Sequence, residues 1–266
     1  MQKKKPSFRV YFIVMAVILI LSLLFSARVG AVSLSYDKIL AFIGKSMGMQ
    51  VNISFTNIEE QVFYQIRLPR VILCAFVGAS LSVSGALMQA LFRNPIVEPG
   101  IVGTSSGAAL GAAFIFVMGK SIAGSYADTI GPFLLPLFAF AGGFIATMVV
   151  YKLSNVFGKT NVNTMILAGI AVNALANGGT GFFSYIARDP QARSITFWNL
   201  GTFSGASWLQ VWVTGIIAII IFLVVWRYSK QLNALLLGEE EAVYLGVDTA
   251  KLKRMIMILN TAMVSV

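Results

Sequence analysis

The residues able to do chemistry are few and poorly placed for it. The 266-residue chain contains no histidine and a single cysteine, Cys74, set inside an apolar run. That excludes an intramolecular disulfide, an HExxH metalloprotease and a serine–histidine nucleophile. Cys74 itself reads as a small buried hydrophobe. Ten carboxylates and twenty Lys and Arg remain, and none of them lies inside the long apolar segments defined below. An intramembrane enzyme would lack a base there, and a proton- or ion-coupled carrier would lack its relay. Uphill transport by this chain would need an energy source in another protein. Three tripeptides, Gly44-Lys45-Ser46, Gly119-Lys120-Ser121 and Gly158-Lys159-Thr160, end like a phosphate-binding loop. All three lack the glycine five positions earlier, and none is expected to follow a strand.

What remains is small and amide side chains at helical spacing. Gly78, Ser82, Ala86 and Gln89 form one stripe, Gly103, Gly107 and Gly111 a second, and Gly169, Asn173, Asn177 and Gly181 a third. Intervals of three or four place each set on one helix face. The glycine stripe reads as close helix packing, in which small residues let backbones approach. Two amides one turn apart, Asn173 and Asn177, are costly in hydrocarbon without a partner helix or water. A pathway and a subunit interface both satisfy that requirement.

The elements that position these residues follow from composition. With 58% hydrophobic and 11% charged residues, against about 25% charged in ordinary soluble chains, the protein cannot coat itself for water. Its mean hydropathy is +0.82. Six segments reach the roughly 20 residues needed to cross a bilayer. They run from Val10 to Ala27, Val71 to Phe92, Pro99 to Gly119, Gly131 to Tyr151, Thr164 to Ala187 and Trp208 to Trp226. A seventh apolar run, Met255 to Val266, starts a further helix and is too short to span. The expectation is an all-α, polytopic transmembrane bundle of six complete spans plus the start of a seventh. It reads as one permease domain over 1–266, C-terminally truncated. Lys3, Lys4 and Lys5 before the first span resemble a signal-peptide n-region, but Arg28 interrupts the residues where cleavage would fall.

With the N-terminus in the cytoplasm, twelve of the twenty Lys and Arg fall inside, crowding the first span and the connection from Arg227 to Arg254. The positive-inside rule favours that orientation. The basic residues lie between apolar segments rather than on one face, which excludes a nucleic-acid partner. Arg67 and Arg70 fall outside, against the rule. In the cytoplasmic connection Gly238 breaks the chain, Glu239, Glu240 and Glu241 open a short helix at its positive end, and Gly246 closes it. Ala242 and Leu245 would share its apolar face. The segment 229–253 suits a groove in a partner protein, and also suits a solvated connector.

Four segments in order carry a family resemblance: RLPRVILCAFVGASLSVSGALMQALFRNPIVEPGIVGTSSGAALGAA, NTMILAGIAVNA, SITFWNLGTFSGASW and GEEEAVYLGVD. The chain from Arg67 to Val266 resembles the permease subunits of bacterial ABC importers for iron-siderophore complexes, haem and cobalamin. Family members have about ten spans, and this sequence stops inside a seventh.

The resemblance implies a non-enzymatic subunit of the bacterial inner membrane with no cofactor or metal of its own. It pairs with a second permease copy or a related subunit, binds two cytoplasmic ATPases, and receives a periplasmic or lipid-anchored binding protein. It makes Gly238, Glu239, Glu240, Glu241, Ala242, Leu245 and Gly246 the ATPase coupling segment. It gives Arg67 and Arg70 to docking of acidic residues on the binding protein. It makes the fifth span, with Gly169, Asn173 and Asn177, a lining of the pathway, and Asn161, Val162, Asn163 and Thr164 its cytoplasmic gate. The implied substrate is an iron complex, with the stretch Arg193 to Trp208 leaning towards haem importers. Lacking His, the chain would have only Met or Tyr for an axial haem ligand. A cobalamin importer, or a carrier or channel without an ATPase, are the alternatives.

Overall fold

The structure, a computed structural model, describes residues 8–30, 32–50, 53–124, 127–156 and 159–265, with the side chains of 123, 127–132, 156, 159 and 160 also left aside. Lys3, Lys4, Lys5, Gly158 and Val266, named above, lie outside the described residues.

The fold is all-α. Among the described residues six helical runs are long and apolar enough to cross a membrane: Phe8–Arg28, Asn57–Phe92, Thr104–Ile122, Phe133–Ser154, Val162–Ile186 and Trp208–Arg227. The only strands among the described residues are a two-residue antiparallel pair, β1 (Asn155–Val156) with β2 (Lys159–Thr160). Lys159 and Thr160 therefore follow a strand after all, but they lie in a hairpin rather than in a loop cradling a helix start. Gly44, Lys45 and Ser46 close a helix, and Gly119, Lys120 and Ser121 lie near the end of another.

The chain forms two compact units. The smaller comprises residues 1–75 and 203–212. It contains α1 (Phe8–Arg28), α2 (Tyr36–Ser46), α3 (Asn57–Gln61), a π-helical turn (Val62–Arg67) and the start of α4 (Leu68–Phe92). Its core is Ala27, Leu34, Ile39, Phe42, Phe63 and Val71. Helix α2 is amphipathic, with Ile39, Ala41 and Phe42 buried. Lys38 and Lys45 on α2 reach Glu59 and Glu60 at 2.5 and 2.6 Å, and the Tyr64 hydroxyl donates to the Phe42 carbonyl at 2.6 Å. Thr56 and Glu59 form a capping box that starts α3. The run from Asn57 to Phe92 has 36 residues. At 1.5 Å per residue it extends about 54 Å, well beyond a hydrocarbon layer of about 30 Å. The second span thus starts earlier than Val71, and its added turns carry the charges Glu59, Glu60, Arg67 and Arg70.

The larger unit comprises residues 76–202 and 213–266. It holds the rest of α4, then α5 (Thr104–Ala123), α6 (Ala127–Ser154), α7 (Val162–Ile186) and α8 (Asp189–Leu200). It also holds most of α9 (Trp208–Arg227), then α10 (Ser229–Leu237), α11 (Glu239–Tyr244) and α12 (Thr249–Val264). Its main core gathers Leu87, Met88 and Leu91 of α4, Val150 of α6, Met165 of α7, and Leu252, Ile256 and Met257 of α12.

The third span departs from expectation at its start. Pro99–Val102 form one 3-10 turn and Gly103 is left-handed at φ 84°, so the α-helix begins at Thr104 rather than Pro99. Proline fixes the turn and removes a donor, and glycine supplies the positive φ that resets the chain direction. The glycine stripe behaves as packing residues. A Cβ on Gly111 would overlap the Phe138 carbonyl of α6, and one on Gly142 would overlap the Gly107 carbonyl. On α4 the stripe Gly78, Ser82, Ala86 and Gln89 is the outward face, half to fully exposed, while Ser80, Ser84, Leu87 and Met88 turn inward. Cys74 is exposed and not a core residue, lying on the same outward face of α4 as Gly78.

Candidate functional site

Three arrangements carry polar chemistry. The first surrounds the Pro99–Val102 turn. Asn173 on α7 donates Nδ2 to the Gly100 and Ile101 carbonyls, each at 3.4 Å, and accepts a short hydrogen bond from Ser106 Oγ. One turn later Asn177 is exposed. A cleft of about 410 Å³ opens here, with Glu98, Ser105, Ser106, Asn173 and Asn177 among its walls. A second of about 340 Å³ shares Ser105, Ser106 and Asn177 and adds Asn199 and Trp198 of α8. Asn173 and Asn177 therefore face polar clefts, in whose walls Glu98 is the one charged residue. Gly169 does not: it is buried against the turn, where a Cβ would overlap the Ile101 carbonyl. It is a packing glycine and not part of a lining.

At the foot of α7, Asn161 is the N-cap, its Oδ1 accepting from the Thr164 amide at 3.1 Å. Asn163 is exposed and Thr164 half-buried. Asn161 is thus held by helix capping, which satisfies one of the orphan donors of a helix start.

The second arrangement is a fully buried polar node that the sequence reading missed. Asn260 of α12 accepts from Ser84 Oγ of α4 at 2.5 Å. Its Nδ2 donates to the Pro99 carbonyl and to Thr104 Oγ1 of α5, both at 3.2 Å. Thr104 Oγ1 and Thr147 Oγ1 of α6 share a hydrogen bond at 2.8 Å. Ser84, Thr104, Thr147 and Asn260 are all without solvent exposure. No single helix shows a polar stripe because each contributes one residue. The available signal was Asn260 itself, an amide inside an apolar run.

The third arrangement is the segment 229–253. Gly238 at φ 151° separates α10 from α11, and the Glu241 carboxylate folds back over it so closely that a Cβ there would collide. Gly246 at φ 79° ends α11, with the Val247 amide on the Ala242 carbonyl and the Gly246 amide on the Val243 carbonyl, each at 2.9 Å. That is a Schellman ending, in which a left-handed glycine satisfies the last carbonyls. Asp248 then caps α12 by accepting from the Lys251 amide. Ala242 and Leu245 do not share an environment. Ala242 is completely buried, whereas Leu245 is 64% and Tyr244 89% exposed, flanked by exposed Glu240 and Glu241. Helix α11 is too short to bury both residues on one side. Glu239 points the other way and accepts from Lys253 Nζ of α12 at 2.6 Å.

The two arginines, both in the smaller unit, have different environments. Arg67 is buried, and its guanidinium donates to the carbonyls of Ala27, Arg28 and Val32. The Ala27 and Arg28 carbonyls are orphan acceptors of the last turn of α1, where the helix dipole favours a cation, and Val32 lies in the segment that follows. A residue so enclosed has no face for another protein, which removes Arg67 from the expected docking pair. Arg70 is exposed and donates to the carbonyls of Phe203 and Ser204 at 3.0 and 3.3 Å.

Six membrane-length helices, a polar cleft and an exposed acidic-apolar helix mark a polytopic membrane protein. The chain belongs to the FecCD transport family, whose profile matches residues 18–266. It is 35% identical over 253 residues to the hemin transport system permease protein of Yersinia pestis, covering 93% of this chain and 70% of that one. It is 38% identical over 192 residues to the cobalamin import system permease protein of Halobacterium salinarum, covering 72% of this chain and 49% of that one. A solved structure described as an inward-facing conformation of a metal-chelate type ABC transporter superposes with a TM-score of 0.78 at 26% identity, covering 97% of this chain and 74% of that one. The chain thus spans about half to three quarters of the length of these proteins.

Proposed function

We propose that this chain is the membrane permease of an ATP-driven importer for an iron chelate, with haem the preferred cargo. It works as one of a pair of permease subunits in a bacterial inner membrane, with its N-terminus and the segment 229–253 in the cytoplasm. The observation that carries this reading is the ridge on α11. Leu245, Tyr244, Glu240 and Glu241 are presented outward, while Glu239 is tied to Lys253 and Ala242 is buried. A short apolar and acidic helix, rigidly seated at its base, suits a groove on a cytoplasmic ATPase. Gly238 and Gly246 fix its two ends.

Asn173 and Asn177 line the pathway, and the absence of charge in the cleft walls other than Glu98 suits a large chelate that must pass without being trapped. Asn161, Asn163 and Thr164 stand at the foot of the same helix as gate residues. On the outer side Arg70 docks an acidic binding protein, its charge steering the encounter. Haem is favoured because the hemin permease of Yersinia pestis matches along 93% of this chain.

The test is uptake into vesicles containing the chain with its ATPase and binding protein, comparing hemin, a ferric hydroxamate and cobalamin. ATP-dependent hemin uptake supports the full reading. Preference for another of the three changes the cargo only. Uptake that ignores ATP, or that survives Tyr244→Asp with Leu245→Asp, overturns the importer assignment.

A further inference from the structure

We infer that the Pro99–Gly103 turn is the element through which the coupling segment acts on the cleft, and that Asn260 and Asn173 are the positioning residues that hold it. The inference rests on the permease reading above. Irregular backbone inside a membrane protein needs every carbonyl satisfied from within. Here the carbonyls of Pro99, Gly100 and Ile101 are taken by two side-chain amides arriving from different helices. Asn260 of α12 holds Pro99, and Asn173 of α7 holds Gly100 and Ile101.

Helix α12 is where the connection begins. It starts at Thr249, directly after α11 and its Schellman ending. Lys253 and Asn260 are seven residues apart, two helical turns, so they share one face of α12 about 10 Å from each other. One end of that face is fixed to α11 through Glu239, and the other to the turn through Pro99 and Thr104. A displacement of α11 cannot be absorbed by side-chain rearrangement at Asn260. Its acceptor is committed to Ser84 and its donors to the Pro99 carbonyl and Thr104, and the side chains of Ser84, Thr104 and Asn260 are fully buried.

The turn itself borders the site. Glu98, Pro99 and Gly100 line the 410 Å³ cleft together with Asn173 and Asn177. Gly103, left-handed, leaves the chain a swivel at the end of the turn. A shift of the turn carried by Asn260 breaks the long Asn173 bonds to the Gly100 and Ile101 carbonyls, and so moves its part of the cleft wall relative to α7.

The experiment places a reporter cysteine at Ser105, an exposed cleft residue, in a Cys74→Ser background. Membranes carrying the full chain and its ATPase are treated with a water-soluble maleimide with and without ATP. With Asn260 present, nucleotide changes the labelling rate by about fivefold or more, the lower range of energetic coupling between sites. In Asn260→Ala the change disappears while ATP hydrolysis persists. Thr147→Val, which removes only the outermost bond of the node, gives a partial loss and stands in if Asn260→Ala does not fold. A nucleotide-dependent change that survives in an Asn260→Ala complex still hydrolysing ATP overturns the inference and leaves the permease reading intact. Labelling of the parent protein that never responds to ATP overturns the permease reading and this inference with it.

Discussion

Lys253 donates its ammonium to Glu239 across 2.6 Å while its own side chain is 2% exposed and the carboxylate's 40%. The asymmetry decides what each substitution does. A buried cation deprived of a carboxylate keeps a desolvation cost, whereas a half-exposed carboxylate deprived of its cation turns to water. Glu239→Gln is therefore expected to destabilise more than Lys253→Met, though by less than an unpaired buried cation would, since Lys253 keeps a further interaction. Thermal unfolding of the detergent-solubilised protein gives the order, and the reverse order would show that the pair is not as buried as its geometry indicates.

Gly169 and Gly181 lie on the same stripe of α7, yet only one meets backbone. A Cβ at Gly169 would overlap the Ile101 carbonyl, while nothing lies within 4 Å of a Cβ at Gly181. Gly169→Ala is expected to cost about 1–3 kcal/mol, as other overpacking substitutions do. Gly181→Ala is expected to be neutral or slightly stabilising, by relieving glycine's entropy cost in a helix. Melting temperatures of the two variants, measured side by side, separate them.

Arg67→Ala removes every guanidinium bond to the carbonyls that end and follow α1. Bonds from a charged donor contribute about 1.5–3 kcal/mol each in isolation and do not add, so a total loss of about 3 kcal/mol is expected. Arg67→Lys should recover only part of it, since one ammonium cannot reproduce the fork of a guanidinium. Affinity for the binding protein, measured on the folded fraction, should stay unchanged in Arg67→Lys and fall in Arg70→Glu.

Tyr244→Ser and Leu245→Ser act on exposed positions and should leave the stability of the permease within about 0.5 kcal/mol. Co-purification with the ATPase should fall sharply in both. Retention of the ATPase by the double variant would place the docking surface elsewhere on the chain.

The spans and the broken helix 239–244 were legible because they depend on local signals, namely long charge-free runs and glycines at fixed offsets from acidic residues. The direction each helix faces was less so. Gly78, Ser82, Ala86 and Gln89 read as the polar face of α4, yet it is Ser84, two residues from Ser82 and Ala86 and on the other side of the helix, that enters the buried node. In a chain surrounded by lipid, apolar character no longer separates inside from outside, so the periodicity that orients a soluble helix is nearly silent. Arg67 was misjudged for a related reason. Its charge suggested the surface, and its acceptors are backbone carbonyls, which leave no mark in a sequence. Asn260 was hidden because its partners come from three other helices, one residue apiece.

The contact of α5 with α6 through Gly107, Gly111 and Gly142 has a mechanical consequence. At these glycines no side chain separates the two backbones, so neither helix has clearance to roll about its own axis. The pair can only travel as a single stiff plate, hinged where glycine leaves the chain free at position 103. Any opening of the protein must therefore carry both helices together, and Thr104 and Thr147, bonded across that plate, ride with it.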